Sequence, residues 1–493
     1  MSHPLSGGTG DRAIVASENF ILATRDTGYR SVAAAVAELV DNSLQAKASL
    51  IRVFVRDERV DAERSIAIGV LDDGHGMSPH TLHAALQFGG SDRFGQRTGL
   101  GRFGMGLPNS SVSQTRRFDV YSWERDRPIK SSYLDVDEVA SGRLRSIPAP
   151  FERDLPEWAA VHAAKSGTLV VWSRCDRLSR LRASTIANRL RGSLSRWYRF
   201  ALWEGIRITI NDTRLIADDP LFVHEASPVH GALPFGSPLN YEFRSAFGGN
   251  ANVEIRFSEL PVAAWQGWSI EDKRRHGIVG RAGVSVVRAG REIDYGWYLM
   301  GSKRRENYDD WWRCEVRFSP NLDELFGVTH SKQGITPSAE LRAAIEPDLE
   351  AVARTLNARV RAAFETVKRS HSEALNSAEV SDKFLPTPPR ARRRVSARGA
   401  RYRIEARALP TAEFFRPQLV KDTIVVTLNS DHPFYKLVYS RLLDGQSNER
   451  FHMECLILGA ARAELEAVTA TERALLDRVR QSWADAVATF LEQ

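Results

Sequence analysis

Cysteine is scarce in this 493-residue chain. Cys175, Cys314 and Cys455 stand far apart and form no Cys-x-x-Cys pair. That spacing argues against a disulfide framework or a zinc site and fits a reducing, cytoplasmic setting. No stretch approaches the roughly 18 uninterrupted apolar residues of a membrane span, so no membrane partner is expected. The opening residues MSHPLSGGTGDR lack the basic-then-apolar order of a secretion signal. Neither charge sign dominates: the formal net charge of +7 admits phosphate-rich partners without demanding them. Internal repeats are also missing.

What remains is an ordinary globular balance, with 43% hydrophobic and 26% charged residues, in a chain long enough for two or three domains. Residues 29–47 carry Val32, Val36, Leu39, Val40 and Leu44 at helical spacing. Two β-branched runs, 50–56 and 65–72, read as neighbouring strands separated by the charged stretch DERVDAER. Further strands are expected near 117–123 and 168–174, then a basic helix over 180–203 and a hairpin over 206–215 turning at Asn-Asp. From 216 to 340 strand-like runs dominate, among them NVEIRFSEL, AGVSVVRAGREID and WRCEVRFSP. Residues 338–380 read as helix. The Pro- and Arg-rich stretch within 381–403 reads as a linker, and 404–493 as a last small unit with one strong strand, DTIVVTLNS, and a helix over 463–491. In that unit TLNSDHPFYKLVY reads as a packed strand-to-helix turn, and His452, Glu454 and Cys455 make no convincing metal cluster.

Four short blocks carry chemistry. In AVAELVDNS, Glu38 and Asn42 are four apart and share a helix face. A carboxylate there can polarise a water, and an amide oxygen one turn on can hold a magnesium ion, which prefers oxygen ligands. VLDDGHGMS ends a strand in Asp72, suited to accept the exocyclic amine of adenine, while Gly74 and Gly76 allow close backbone approach to a flat ring. In TGLGRFGMGLPNSS, the glycines Gly101, Gly104 and Gly106 precede a helix start, an arrangement that cradles phosphates. It is neither a Walker A loop nor a dinucleotide fingerprint. Finally, SGTLVVWS opens a strand with Thr168, whose hydroxyl can lie near the adenine-reading carboxylate. Taken singly, the blocks are as readily a polar helix face, an acidic turn, a surface loop and a strand threonine.

In this order and spacing, E-x-x-D-N, D-x-G-x-G-M, G-x-x-G-x-G and G-T together resemble the Bergerat nucleotide fold of the GHKL superfamily. The superfamily includes gyrase B subunits, ninety-kilodalton heat-shock chaperones, histidine kinases and MutL. The resemblance spans roughly residues 15–215. It implies ATP and Mg2+ as bound groups, Glu38 as general base, Asn42 as metal ligand and Asp72 as adenine reader. Gly74, Gly76 and Met77 would line the base. Gly101, Arg102, Phe103, Gly104, Met105 and Gly106 would wrap the phosphates within a lid over about 86–106. The pair Asp72-Asp73 replaces the commoner Asp-Asn and resembles the variant of MORC-type ATPases.

Too few residues precede the first block for a histidine kinase. FGVTHSKQGI (326–335) resembles the MORC form of the transducer loop, which implies that Lys332, with Gln333 beside it, reaches the terminal phosphate. GVSVVRAGREID is similar to the transducer hairpin of MORC and MutL relatives. The implied fold is α+β. A Bergerat α/β sandwich over 1–215 would be followed by a transducer domain, ribosomal-protein-S5-like, over 216–380, the basic linker over 381–403, and an α/β unit over 404–493.

The implied activity is Mg-dependent ATP hydrolysis with ATP-driven homodimerisation. Two clients stay open. One is DNA, clamped or remodelled, with bacterial anti-phage defence or restriction as a setting. Seven arginines between Arg390 and Arg403 support it, as do Arg180, Arg182, Arg189, Arg191, Arg196 and Arg199 with Trp197 and Tyr198. The other is a protein, with the chain acting as a chaperone-like or scaffold ATPase. The metal motif of endonucleolytic MutL proteins is absent from the sequence, so any cleavage is expected of a partner nuclease or effector.

Overall fold

The computed structural model describes residues 15–29, 31–60, 63–90, 105–178, 181–246, 248–328, 334–391, 399–443 and 448–491. Among these, three sheets follow one another along the chain. The first contains β1 (Leu50–Val60), β2 (Glu63–Asp72), β3 (Arg117–Trp123), β4 (Lys130–Asp135), β5 (Phe151–Glu152), β6 (Gly167–Ser173), β7 (Arg207–Ile210) and β8 (Thr213–Arg214). Their order across the sheet is β5-β4-β3-β6-β2-β1-β7-β8, and only the β1–β7 pairing is parallel. The DERVDAER stretch is largely absorbed into a longer β1–β2 hairpin, with Asp57 opposite Ile66 and Val60 opposite Glu63.

Alternation along these strands assigns the two faces. Ile51, Val53 and Val55 of β1, Ile66, Ile68 and Val70 of β2, Phe118 and Val120 of β3, and Val170 and Trp172 of β6 enter the main core. Helices cover that face, the Val32–Gln45 helix centrally. The opposite face buries Phe54, Leu71, Tyr121, Trp123 and Leu169 under Leu155 and Ala159. The Val32–Gln45 helix starts where the Ser31 hydroxyl accepts from the Ala34 amide at 3.1 Å. Its run of small residues, Ala33, Ala34, Ala35 and Ala37, is buried, so neighbouring elements come close to its backbone. The expected basic helix is two, Ala183–Trp197 and Arg199–Trp203.

The second sheet contains β9 (Leu233–Arg244), β10 (Asn250–Glu259), β11 (Val284–Arg288), β12 (Arg291–Gly296) and β13 (Trp312–Phe318), ordered β12-β11-β13-β10-β9. The Ala339–Asp382 helix lies over it, burying Leu341, Ile345, Leu349, Ala353 and Leu356 at spacings of one helical turn. At 44 residues this helix runs about 66 Å.

Its later residue Val360 enters a different core. That core also holds Leu260, Trp265, Ile278 and Trp311, together with the third sheet of β14 (Arg401–Arg407), β15 (Phe415–Val420) and β16 (Thr423–Asn429). The order there is β14-β16-β15. The last 90 residues therefore share one hydrophobic core with parts of the chain before residue 312. The described ends of the Pro- and Arg-rich stretch are tied down: Ala391 is buried, and the Asp382 carboxylate accepts from the Ala400 amide at 2.7 Å and the Tyr402 hydroxyl at 2.9 Å. The single helix expected over 463–491 is Ala470–Leu491, preceded by a separate helix, Asn448–Ala463. After β16 the HPFY stretch is a packed turn into helix, with a His432 ring nitrogen 3.1 Å from the Ala484 carbonyl oxygen.

Candidate nucleotide site

The three ends that form the site are brought together by sheet register. Asp72 closes β2, paired with Ile51 on one side and Thr168 on the other, so it stands in the middle of the sheet. Its carboxylate is buried. One oxygen accepts from the Ser43 hydroxyl at 2.8 Å, the other from the Gly74 amide at 2.9 Å. Burial is the largest influence on Asp72 and raises its pKa, against the opposing pull of donors at Gly74, Ser43 and Thr168. A carboxylate offers about four lone-pair sites. Among the described residues those three donors leave room for one more, so the side chain fits a ligand that donates.

Asp73 faces away. Its oxygens take the Ser49 amide at 2.7 Å, the Ser49 hydroxyl at 2.6 Å and the Leu50 amide at 2.8 Å, bracing the start of β1. Partial burial alone would raise its pKa, but these donors outweigh it and hold the carboxyl below its ordinary value. The second aspartate of the pair is thus a structural clamp.

Glycine is required beyond Asp73. Gly76 has φ +74°, and a Cβ there would lie 2.0 Å from the Trp123 carbonyl oxygen. A Cβ on Gly74 would lie 2.8 Å from both the Cβ and the carbonyl oxygen of Ala46. Met77 follows, its amide donating to the Ser122 hydroxyl at 2.9 Å while its side chain packs on the core edge. Ser122 is also 2.9 Å from the Thr168 hydroxyl. Asp72, Gly74, Gly76, Met77 and Thr168 therefore lie together. Ser43 and Ser122, which sequence reasoning passed over, hold them.

Glu38 and Asn42 differ in exposure along their shared helix face. Glu38 is buried, whereas Asn42 is exposed. The third block arrives beside them: the Gly106–Val112 helix packs on the Val32–Gln45 helix, and a Cβ on Gly106 would come 2.9 Å from a Glu38 carboxylate oxygen. Met105 precedes that helix, partly buried. Gly101, Arg102, Phe103 and Gly104 lie outside the described residues, as do Lys332 and Gln333. Around the latter pair, the flanking chain is held by the Ile335 amide donating to Asp294 at 3.0 Å and by Thr336 donating to the Phe326 carbonyl at 2.9 Å.

Around Glu38 the charges are unusually dense. The Tyr29 phenol hydrogen-bonds it, and burial, followed by the charge of Glu38, raises that phenol's pKa. The Arg291 guanidinium lies 3.5 Å from Glu38 and directly against Asp41, one turn along the helix. The Tyr198 hydroxyl donates to Asp41 at 2.7 Å. Among the described residues no group of three or more His, Cys, Asp or Glu side chains could hold a metal ion. The donor set suits a magnesium ion that takes one protein oxygen and draws the rest from phosphates and water.

The arginines expected to meet nucleic acid divide. Arg196 and Arg199 are inside: Arg196 reaches Glu292 at 2.8 Å, and Arg199 reaches Glu292 at 3.1 Å and also pairs with Glu315. Tyr198 is buried and Trp197 packs on the core. Those four are structural: the two arginines pair with carboxylates of the second sheet, and Tyr198 and Trp197 belong to the first core. Arg182 and Arg189 are exposed and Arg191 is half-buried; Arg180 lies outside the described residues. So do Arg392, Arg393, Arg394 and Arg398, while Arg390, Arg401 and Arg403 are exposed.

Residues 29–168 match the family described as Histidine kinase-, DNA gyrase B-, and HSP90-like ATPase. The chain carries a GHKL-type, MORC-like ATPase domain. Over 106 residues, 21% of its length, it is 33% identical to ATPase MORC2A of Mus musculus and to ATPase MORC2 of Homo sapiens. It is 32% identical over 102 residues to ATPase MORC2B of Mus musculus. The chain spans 10% of the length of each of these relatives. No helix among the described residues is long and apolar enough to cross a membrane.

Proposed function

We propose that the chain hydrolyses ATP with magnesium at this site. The observation that carries the reading is the convergence of a buried Asp72 with a spare acceptor position, glycines that exclude any Cβ, and a buried Glu38 beside Gly106. Asp72 reads the adenine amine, with Gly74, Gly76, Met77 and Thr168 around the base. Glu38 orients the attacking water and accepts its proton. Asn42 supplies an oxygen to magnesium, which when bound neutralises charge on the phosphates. The segment from Gly101 to Gly106, with Arg102, Phe103 and Met105, wraps the phosphates. Lys332 contributes a charge-assisted contact from the second unit, which serves as transducer. Positioning and charge neutralisation supply most of the rate.

The client in this reading is DNA, gripped by an ATP-dependent homodimer. An exposed row of Arg401, Arg403 and Arg407 along the edge strand β14 supports it. One observation favours a protein client instead: Leu475, Val479, Trp483 and Phe490 leave an exposed apolar stripe on the last helix. The test is the ATPase rate of wild type and Glu38→Ala, with and without double-stranded DNA at two salt concentrations. The DNA reading expects stimulation of the wild type that fades steeply with salt. Salt-insensitive stimulation by a protein, with none by DNA, would favour the second reading.

A further inference from the structure

The cluster around Glu38 contains a group from outside the nucleotide-binding sheet. β11 and β12 are joined by Ala289 and Gly290, both at positive φ, a turn so tight that Arg291 and Glu292 open the returning strand. Both side chains reach back into the first unit. Glu292 is held by Arg196 and Arg199. Arg291 inserts beside the Val32–Gln45 helix, against Asp41 and 3.5 Å from Glu38. Arg291, Glu38 and Asp41 are 3%, 5% and 0% exposed. Opposite signs in such a dry setting fix side-chain positions far more firmly than they would in water.

We infer that Arg291 is a positioning residue for Glu38, delivered by the second sheet, so that hydrolysis proceeds only while that sheet is docked. This rests on the reading of Glu38 as the base that orients water. Among the described residues, the titratable and charged groups near Glu38 include Tyr29, Arg291, Asp41 and Tyr198. Tyr29 and Asp41 belong to the first unit, whereas Arg291 comes from the second sheet and links the carboxylate to it. One guanidinium nitrogen, Nη1, meets both carboxylates: Asp41 anchors it, and Glu38 is the carboxylate it orients. Recognition of the base does not need this contact, because Asp72, Gly74 and Gly76 lie at the end of β2, whereas Gly106 lies beside Glu38. The proton-accepting step does.

The test measures hydrolysis and nucleotide binding for full-length wild type, Glu38→Gln, Arg291→Met and Arg291→Lys. For Arg291→Met the expected result is turnover lowered about ten-fold or more, with ATP affinity and 1:1 stoichiometry kept. Arg291→Lys, which keeps the charge, should recover a large part of the loss and serves as the folded variant should Arg291→Met fail to fold. A purely structural role would instead lower the amount of binding-competent protein, and turnover per bound nucleotide would stay at the wild-type value. That result in either Arg291 variant, with Glu38→Gln inactive, overturns the positioning role while leaving Glu38 as base. Wild-type turnover by Glu38→Gln overturns both.

Discussion

Arg199 and Glu292 meet at 3.1 Å with both side chains sealed from solvent, one from a helix of the nucleotide-binding unit and the other from β12 of the second sheet. The same guanidinium pairs with Glu315 on β13 and donates to the Ser285 hydroxyl at 3.1 Å. Two units that could have been joined by apolar contact alone are joined here by buried charge. Such a seam is specific in register and costly to break halfway.

Arg199→Met breaks it halfway. Glu292 keeps Arg196 and Glu315 keeps Arg317, but both lose their shared buried cation. Unfolding free energy should fall by about 3–5 kcal/mol, measured by denaturant titration. A loss below about 1 kcal/mol, the scale of a surface pair, would mean that the seam is hydrated in solution.

Asp72 opposes stability in the ligand-free protein. Its pKa is raised in the fold, chiefly by burial. An acid that holds its proton more tightly when folded loses folding stability as pH rises from its ordinary value through the raised one. Asp72→Asn should therefore leave the ligand-free melting temperature at neutral pH unchanged or higher, and flatten its decline with pH across the weakly acidic range. The same variant should lose ATP binding. A lower melting temperature in the variant across that whole range would contradict the burial argument.

Gly76 tolerates no side chain. Gly76→Ala meets both the positive φ and the Trp123 carbonyl. The strain alone costs about 1–3 kcal/mol, and relief of the clash must move the chain that follows Asp72. Melting temperature and ATP affinity should fall together. A variant that binds ATP like wild type would show that this turn is not part of the pocket.

Ser122 holds the pocket without any motif to announce it. Ser122→Ala removes the acceptor of the Met77 amide and the partner of Thr168. The expected cost is about 1–3 kcal/mol, read as weaker ATP affinity in binding titrations. Unchanged affinity would make Ser122 a fold residue only.

Much of the first unit was legible because its elements obey simple periodicities. The alternation in β1 and β2 and the helical spacing from Val32 to Leu44 survive in the structure with small shifts at their ends. β9 was hidden by Pro234, Gly236 and Pro238, which an edge strand accommodates because one side of its backbone is unpaired. β14 was hidden by arginines. Its alternation of buried Tyr402, Ile404 and Ala406 with exposed Arg401, Arg403 and Arg407 is a strand signal, split by a linker boundary placed at residue 403.

The need for glycine at positions 74 and 76 was readable from spacing, and a Cβ at either would clash with neighbouring backbone. Ser43, Ser122 and Arg291 were not readable in this way. Each acts through a partner far away in sequence: Arg291 and Asp41 are 250 residues apart. The fate of Arg196 and Arg199 shows the same limit in reverse, since nothing local tells a buried arginine from one that faces a phosphate.

The most direct test of the account is titration calorimetry of ATP with magnesium into wild type and Asp72→Asn. The account predicts one nucleotide bound per wild-type chain and no measurable heat of binding in the folded variant. Equal binding by the two proteins, or none by wild type, would contradict it.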